Sequence, residues 1–340
     1  MTTTMRSATF ALLGLLTKAT GALSAITTRT IFTLPGPSQP SSWFENLAVR
    51  PNGKILATRG DAPEIWQIDP ATGDGSVLVS LPPATGAFNL TGIAEIPSCK
   101  RGQGQEETYV FGSSHIPAPL QVEPGSAKVW TLKIDASSDA ASTSLLASLP
   151  DAGFVNGFAA WDSHRVLVGD TEREAIYLMD VETGAFTTPL TGLTGVNGVQ
   201  APPASSGDST RYYVYRADHA SLTLSRIPVD RNTAEPVGSA EILVSDQLID
   251  DFAVKVDAET GQGKAYMGAM YENSVVEVDI GSPGSQGMVT TVAENLTGSG
   301  FGLVTVVVFG RRAEDQGVLY AAVGQGEGSA SIVAISGLDA

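Results

Sequence analysis

Cysteine is nearly absent. Cys99 is the only one in 340 residues, so no intrachain disulfide can form and stability must come from packing. Histidine is also scarce, at three residues, and with a lone cysteine this closes off a His/Cys zinc site. Nothing around Cys99 activates it as a nucleophile, and a half-buried structural thiol is expected. Basic residues are outnumbered, 20 against 36 acids, for a formal net charge of −16. Such a surface repels a nucleic acid duplex and an anionic membrane, which excludes both as partners. The acids are scattered rather than blocked, as on a well-hydrated surface. There is no G-x-S-x-G elbow, no H-E-x-x-H zinc motif and no phosphate-binding P-loop. Gly102-Gln103-Gly104 and Gly324-Gln325-Gly326 read as turns rather than nucleotide loops. No helical period organises the apolar residues.

The most continuous apolar stretch near the start of the chain, residues 8–16 (ATFALLGLL), is too short to span a bilayer. It follows Arg6 and precedes small residues at 21–25 (GALSA), although Lys18 interrupts the pattern. This arrangement predicts a signal peptide over residues 1–25, a mature domain over 26–340 and passage into the secretory pathway. The sequons Asn89-Leu90-Thr91 and Asn295-Leu296-Thr297 would be glycosylation acceptors in that compartment.

A short signature recurs along the chain: a polar or small residue, usually a second small one, an apolar residue and a small one. The copies are Glu45-Asn46-Leu47-Ala48, Thr91-Gly92-Ile93-Ala94, Asn156-Gly157-Phe158-Ala159, Asn197-Gly198-Val199-Gln200, Asp250-Asp251-Phe252-Ala253 and Ser299-Gly300-Phe301-Gly302. Their starts lie 46, 65, 41, 53 and 49 residues apart, a spacing that suits four-stranded propeller blades with one enlarged unit. Each copy is followed by strand-like runs rich in β-branched and aromatic residues, such as 54–58 (KILAT), 64–68 (EIWQI) and 76–81 (SVLVSL) in the first unit. The last unit supplies runs at 303–309, 318–323 and 331–335 and lacks an outer strand, while 27–34 (TTRTIFTL) is a strand without a blade. Pairing the two closes the ring and removes exposed strand edges. The fold class expected is all-β, a six-bladed β-propeller closed by the N-terminal strand.

The innermost strand of each blade lines the axis, so the residues that open it converge on one mouth. Here those are Glu45, Thr91, Asn156, Asn197, Asp250 and Ser299. Two carboxylates and two carboxamides form an all-oxygen set suited to a hard divalent cation such as Ca²⁺, Mg²⁺ or Mn²⁺. The same residues would equally serve to hydrogen-bond exposed backbone at the mouth.

In these inner-strand motifs the chain resembles the SMP-30/gluconolactonase-like six-bladed propellers over essentially the whole mature length. The resemblance implies that Glu45 of Trp43-Phe44-Glu45-Asn46, Asn156 of Val155-Asn156-Gly157, Asn197 of Val196-Asn197-Gly198 and Asp250 surround one divalent metal. Where the family commonly has Glu-Gly and Asp-Gly, this chain has Glu45-Asn46 and Asp250-Asp251, which leaves the register between Asp250 and Asp251 open. The stretch from Glu45 to Gly53 and Asp250-Asp251-Phe252-Ala253 look like a fungal, secondary-metabolism branch that includes hetero-Diels–Alderases, which join an o-quinone methide to a terpene alkene such as humulene.

Three functions remain open on these residues. A pericyclic cyclase needs no nucleophile and no cofactor, only an apolar pocket with a few donors. Trp43, Phe44, Phe88, Phe154, Met270 and Tyr271 would wall it, with Arg59, His115 and His219 as donors. A metal-dependent lactone hydrolase would use Asp250 as general base beside the cation. The partner in either case is a small molecule, an apolar polyketide or terpene or a lactone. A non-catalytic binding propeller is the third reading, because fold does not fix function.

Overall fold

The computed structural model describes residues 25–35, 42–97, 106–116, 121–201, 212–256, 263–281, 287–297, 302–324 and 329–338. Nearly all of the expected leader, Cys99 and Ser299-Gly300-Phe301 lie outside the described residues. The described strands form six four-stranded antiparallel sheets, and the only helical turn among these residues is a 3₁₀ segment at Pro83–Thr85.

Local chemistry makes each blade a meander. In the first blade, Phe44–Val49, Ile55–Arg59, Glu64–Ile68 and Gly75–Ser80 pair in sequence order. The turn after the third strand is repeated in four blades. There, Asp69, Asp135, Asp180 and Asp230 each accept the backbone N–H two residues on. The fourth residue on, Gly73, Asp139, Gly184 or Ala234, donates its own N–H back to the Asp carbonyl from a left-handed conformation. An aspartate side chain that mimics the missing turn partner favours this geometry.

The ring closes as expected. Thr27–Thr33 pairs antiparallel with Ser331–Ser336 and becomes the outer strand of the sixth sheet, in the order N-terminal strand, 331–336, 319–324, 303–309. Closure consumes the edge that the last blade would otherwise expose. The apolar core lies between neighbouring blades rather than at the axis. Phe32, Phe44, Trp66 and Ile332 fill one such layer, and Leu167, Ile176, Val199 and Tyr212 fill another. Each large side chain so buried contributes roughly 1.5–3 kcal/mol.

The inner strands are Phe44–Val49, Asn89–Ile96, Val155–Ala160, Val196–Gln200, Ile249–Val256 and Leu303–Phe309. Each packs against the inner strands of both neighbours, closing a circle. All six carry a register shift near their start, where two residues oppose one on the second strand. Such a bulge re-aims side chains beside a site. Opposite it the second strand carries a small residue throughout: Thr58, Gly112, Gly169, Ala217, Gly268 and Ala322.

Candidate functional site at the channel mouth

The bulge defines the equivalent positions. Its first residue is Glu45, Thr91, Asn156, Asn197 and Asp250 in the first five blades. In the sixth the register break falls between Val304 and Val306, so the ring residue is Thr305. The sequence signature had put it at Ser299. Thr305 is buried and donates its hydroxyl to the Phe44 carbonyl at 2.6 Å, tying the last blade to the first. Thr91, Asn156, Asn197 and Asp250 are likewise buried, and Glu45 keeps partial exposure. Asp250, rather than Asp251, therefore occupies the ring.

The second bulge residue forms a layer beneath. Three copies carry glycine because the next blade's backbone comes too close for a side chain. A Cβ at Gly92 would stand 2.2 Å from the Asn156 carbonyl oxygen, and one at Gly157 would stand 2.2 Å from that of Asn197. At Gly198 it would fall 2.7 Å from the Asp250 carbonyl. The sixth blade has Val306 here, buried in the interblade core, and the first and fifth have Asn46 and Asp251, which meet: the Asn46 carboxamide donates to Asp251 Oδ2. Each also uses its side chain on its own backbone. Asn46 Oδ1 accepts the Leu47 N–H at 2.8 Å, and the Asp251 carboxylate accepts that of Phe252.

Electrostatics follow from this crowding. Burial pushes the Glu45 carboxyl above its ordinary value, against a hydrogen bond from Trp43. Asp250 is raised well above the usual range by burial, then by the charges of Glu45 and Asp251. Asp251 is pushed up to about 7, by burial first and then by Glu45. Like charges in a desolvated site cannot all ionise, so protons are retained. Among the described residues no cationic side chain pairs with any of the three acids.

Neighbours fix the orientation. Trp43 Nε1 donates to Glu45 Oε2 at 2.5 Å, and its indole lies so flat on Gly60 that a Cβ there would sit 2.1 Å from Nε1. Asn197 Nδ2 lies 2.5 Å from His219 Nε2, the Asn197 carboxamide also bonds Asp250, and the His219 ring bonds the backbone of Ile249. Burial lowers the His219 pKa, outweighing Asp218, so the ring is neutral and can accept. Two buried acceptors in the ring have no partner, Asn197 Oδ1 and Thr91 Oγ1.

The remaining expected residues divide. Phe88 and Tyr271 are about half exposed, at 47% and 53%, Phe154 is half-buried, and Met270 is buried in the turn just after the strand Gly263–Ala269. Phe44 is not a pocket wall. Strand alternation turns it away from Glu45 into the interblade core, 1% exposed, with its ring 6.3 Å from Phe32. The Arg59 guanidinium is taken up by Asp61 and Glu64, and His115 pairs with Glu123 in its own loop. Asn89 is enclosed, its side-chain oxygen accepting the Ser114 N–H at 3.1 Å, whereas Asn295 is exposed.

An all-oxygen donor set with an orphaned acceptor at Asn197 fits a hard divalent cation chemically. Among the described residues, however, no three His, Cys, Asp or Glu side chains gather as a metal-holding group, so the carboxamides would have to complete it.

No family model matches the chain. In sequence it is 25% identical over 317 residues, 82% of each protein, to a "Putative hetero-Diels-Alderase" of Phoma sp. Solved structures share the fold at lower identity. A calcium-binding regucalcin of Agrobacterium tumefaciens is 16% identical with a TM-score of 0.57, covering 90% of this chain and 96% of its own. A luciferin-regenerating enzyme is 12% identical with a TM-score of 0.63, covering 93% and 96%. In architecture the chain is thus a six-bladed propeller, a fold it shares with the regucalcin and the luciferin-regenerating enzyme, and in sequence it is similar to a protein named for hetero-Diels–Alder chemistry.

Proposed function

We propose that the channel mouth is the active site of a hetero-Diels–Alderase. The substrates would be an o-quinone methide, derived from a polyketide or tropolone, and a terpene alkene such as humulene. In such a cycloaddition one C–C and one C–O bond form together and nothing leaves, so neither nucleophile nor redox partner is needed. Catalysis consists of alignment and of stabilising charge that builds on the quinone methide oxygen. The observation that carries this reading is the cluster of Glu45, Asp250 and Asp251, a partly exposed acid beside two buried ones, with no cationic partner among the described residues. A carboxyl held protonated near neutrality donates a hydrogen bond to a carbonyl oxygen, as an ionised one cannot. Trp43, Phe154 and the rim residues Phe88 and Tyr271 offer apolar faces to the alkene. The similarity to the Phoma protein supports the same reading.

The test is product formation from a quinone methide generated in situ with humulene, with and without the protein. Acceleration with a fixed stereochemical outcome, lost in Asp250→Asn, is expected. A rate and stereochemistry unchanged from the spontaneous reaction would end the proposal.

A second reading is favoured by the orphaned Asn197 Oδ1. Glu45, Asn156, Asn197 and Asp250 would hold a divalent cation, which when bound polarises an ester carbonyl and acidifies water. The chain's own part would then be to orient a lactone at the mouth. Lactone opening that is abolished by a chelator and by Asn197→Ala, with no effect on cycloaddition, would favour it.

A further inference from the structure

We propose that the Asn46–Asp251 bridge is the floor of the axial pocket and sets how deep a ligand can enter, which makes these two residues specificity-determining. The inference rests on the mouth being the binding site. The position after the ring residue is glycine in the second, third and fourth blades, where neighbouring backbone leaves no room for a Cβ. Side chains appear at this level in the other three blades: Val306 of the sixth is packed in the interblade core, and Asn46 and Asp251 of the first and fifth, which flank it, are complementary. They bond to each other although 205 residues apart in the chain.

Each side chain is held from two directions. Asn46 donates to Asp251 and accepts from Leu47, its backbone N–H reaches Thr58 Oγ1 at 3.1 Å, and Thr58 in turn donates to the Thr91 carbonyl at 2.7 Å. Asp251 accepts from Asn46 and from the Phe252 N–H, and its Oδ1 lies over Gly198. A side chain with every polar contact satisfied has one rotamer and does not swing aside for a guest. Exposure falls along the same line. Glu45 is reached by solvent, whereas Asn46 and Asp251 are 6% and 4% exposed. The bridge thus spans the hole just under the ring, where glycines at both positions would leave a deeper shaft. The guest it meters is an elongated apolar molecule carrying an oxygen at the end that meets the acids.

The test uses the full chain and 4-alkylphenols of increasing chain length, with binding read by tryptophan fluorescence and calorimetry. Wild-type affinity should rise with chain length and then break off sharply. In Asn46→Gly/Asp251→Gly the break should move to longer chains, with at least tenfold tighter binding of the first phenol that the wild type rejects. Asp251→Ala, a milder change, should move it part of the way should the double variant not fold. The exchange Asn46→Asp/Asp251→Asn rebuilds the bridge with its polarity reversed and should restore the wild-type limit, which a merely loosened fold would not. An unchanged limit in the glycine and alanine variants, or no phenol binding at all, would overturn the proposal. A limit that moves while wild type leaves the cycloaddition unaffected would retain the floor and remove the cyclase.

Discussion

The ring of inner strands has two unlike arcs. Through the second, third and fourth blades it carries Thr91-Gly92, Asn156-Gly157 and Asn197-Gly198, neutral residues over glycines, with backbones in close approach. Through the fifth, sixth and first blades it carries Asp250-Asp251, Thr305-Val306 and Glu45-Asn46, which hold the three acids of the two bulge layers. The fold repeats and the chemistry does not. One arc is a closely packed wall, and the other trades that packing for buried carboxyls and a hydrogen-bonded bridge.

Substitution should separate the arcs. Gly157→Ala drives a methyl into the Asn197 carbonyl, where backbone cannot yield cheaply. A loss of about 3–5 kcal/mol in denaturant unfolding is expected, as for severe overpacking. Asn46→Gly on the other arc removes hydrogen bonds without a clash and should cost only about 1–2 kcal/mol. Equal losses would erase the distinction between wall and bridge.

The acid arc should also leave a signature in pH. The Asp251 carboxyl is held at about 7 in the folded chain against 3.8 for an ordinary aspartate. Between those values the native state binds more protons than the unfolded one, so stability falls as pH rises. This contribution is complete below the unfolded value and is lost on passing the folded one. Denaturation midpoints measured between pH 4 and pH 8 should fall by the equivalent of a few kcal/mol, on the order of one to two per pH unit crossed. Asp251→Asn should flatten that slope. Divalent cation added at pH 8 should raise the midpoint if the ring binds metal.

Activity provides two finer tests. Asp250→Asn keeps shape and removes the acid, so a fall of about 100-fold in cycloaddition rate, some 2.7 kcal/mol in barrier, is expected. Trp43→Phe keeps an apolar face and loses the N–H that orients Glu45. It should cost about tenfold in rate with little change in melting temperature.

The blades were legible in the chain because their causes are local. Runs rich in β-branched and aromatic residues located 64–68 and 303–309 to the residue, and the unpaired strand at 27–34 located the closure, observed at Thr27–Thr33. Glu45, Asn156, Asn197 and Asp250 were readable as ring residues because they open copies of one motif. Thr305 was not. The small residues at 299–302 mimic the motif, whereas the true position is fixed by pairing of 303–309 with 319–324, which no short window contains. Phe44 was misplaced because adjacent strand residues face opposite ways, and only the one on the bulge reaches the mouth. The Asn46–Asp251 bridge did leave a trace, in the two copies of the motif that lack the glycine of the other four. That they are partners depends on closure of the ring.

The central physical claim is that carboxyls from the first and fifth blades share one desolvated mouth and retain protons there. Carbon-13 NMR titration of the aspartate and glutamate carboxyls in chelator-treated protein reads this directly. The expected result is a carboxyl carbon that titrates above about pH 6, far from the ordinary aspartate value near 3.9, and that shifts in Asp250→Asn or Asp251→Asn. Every carboxyl fully ionised by about pH 5 would contradict it.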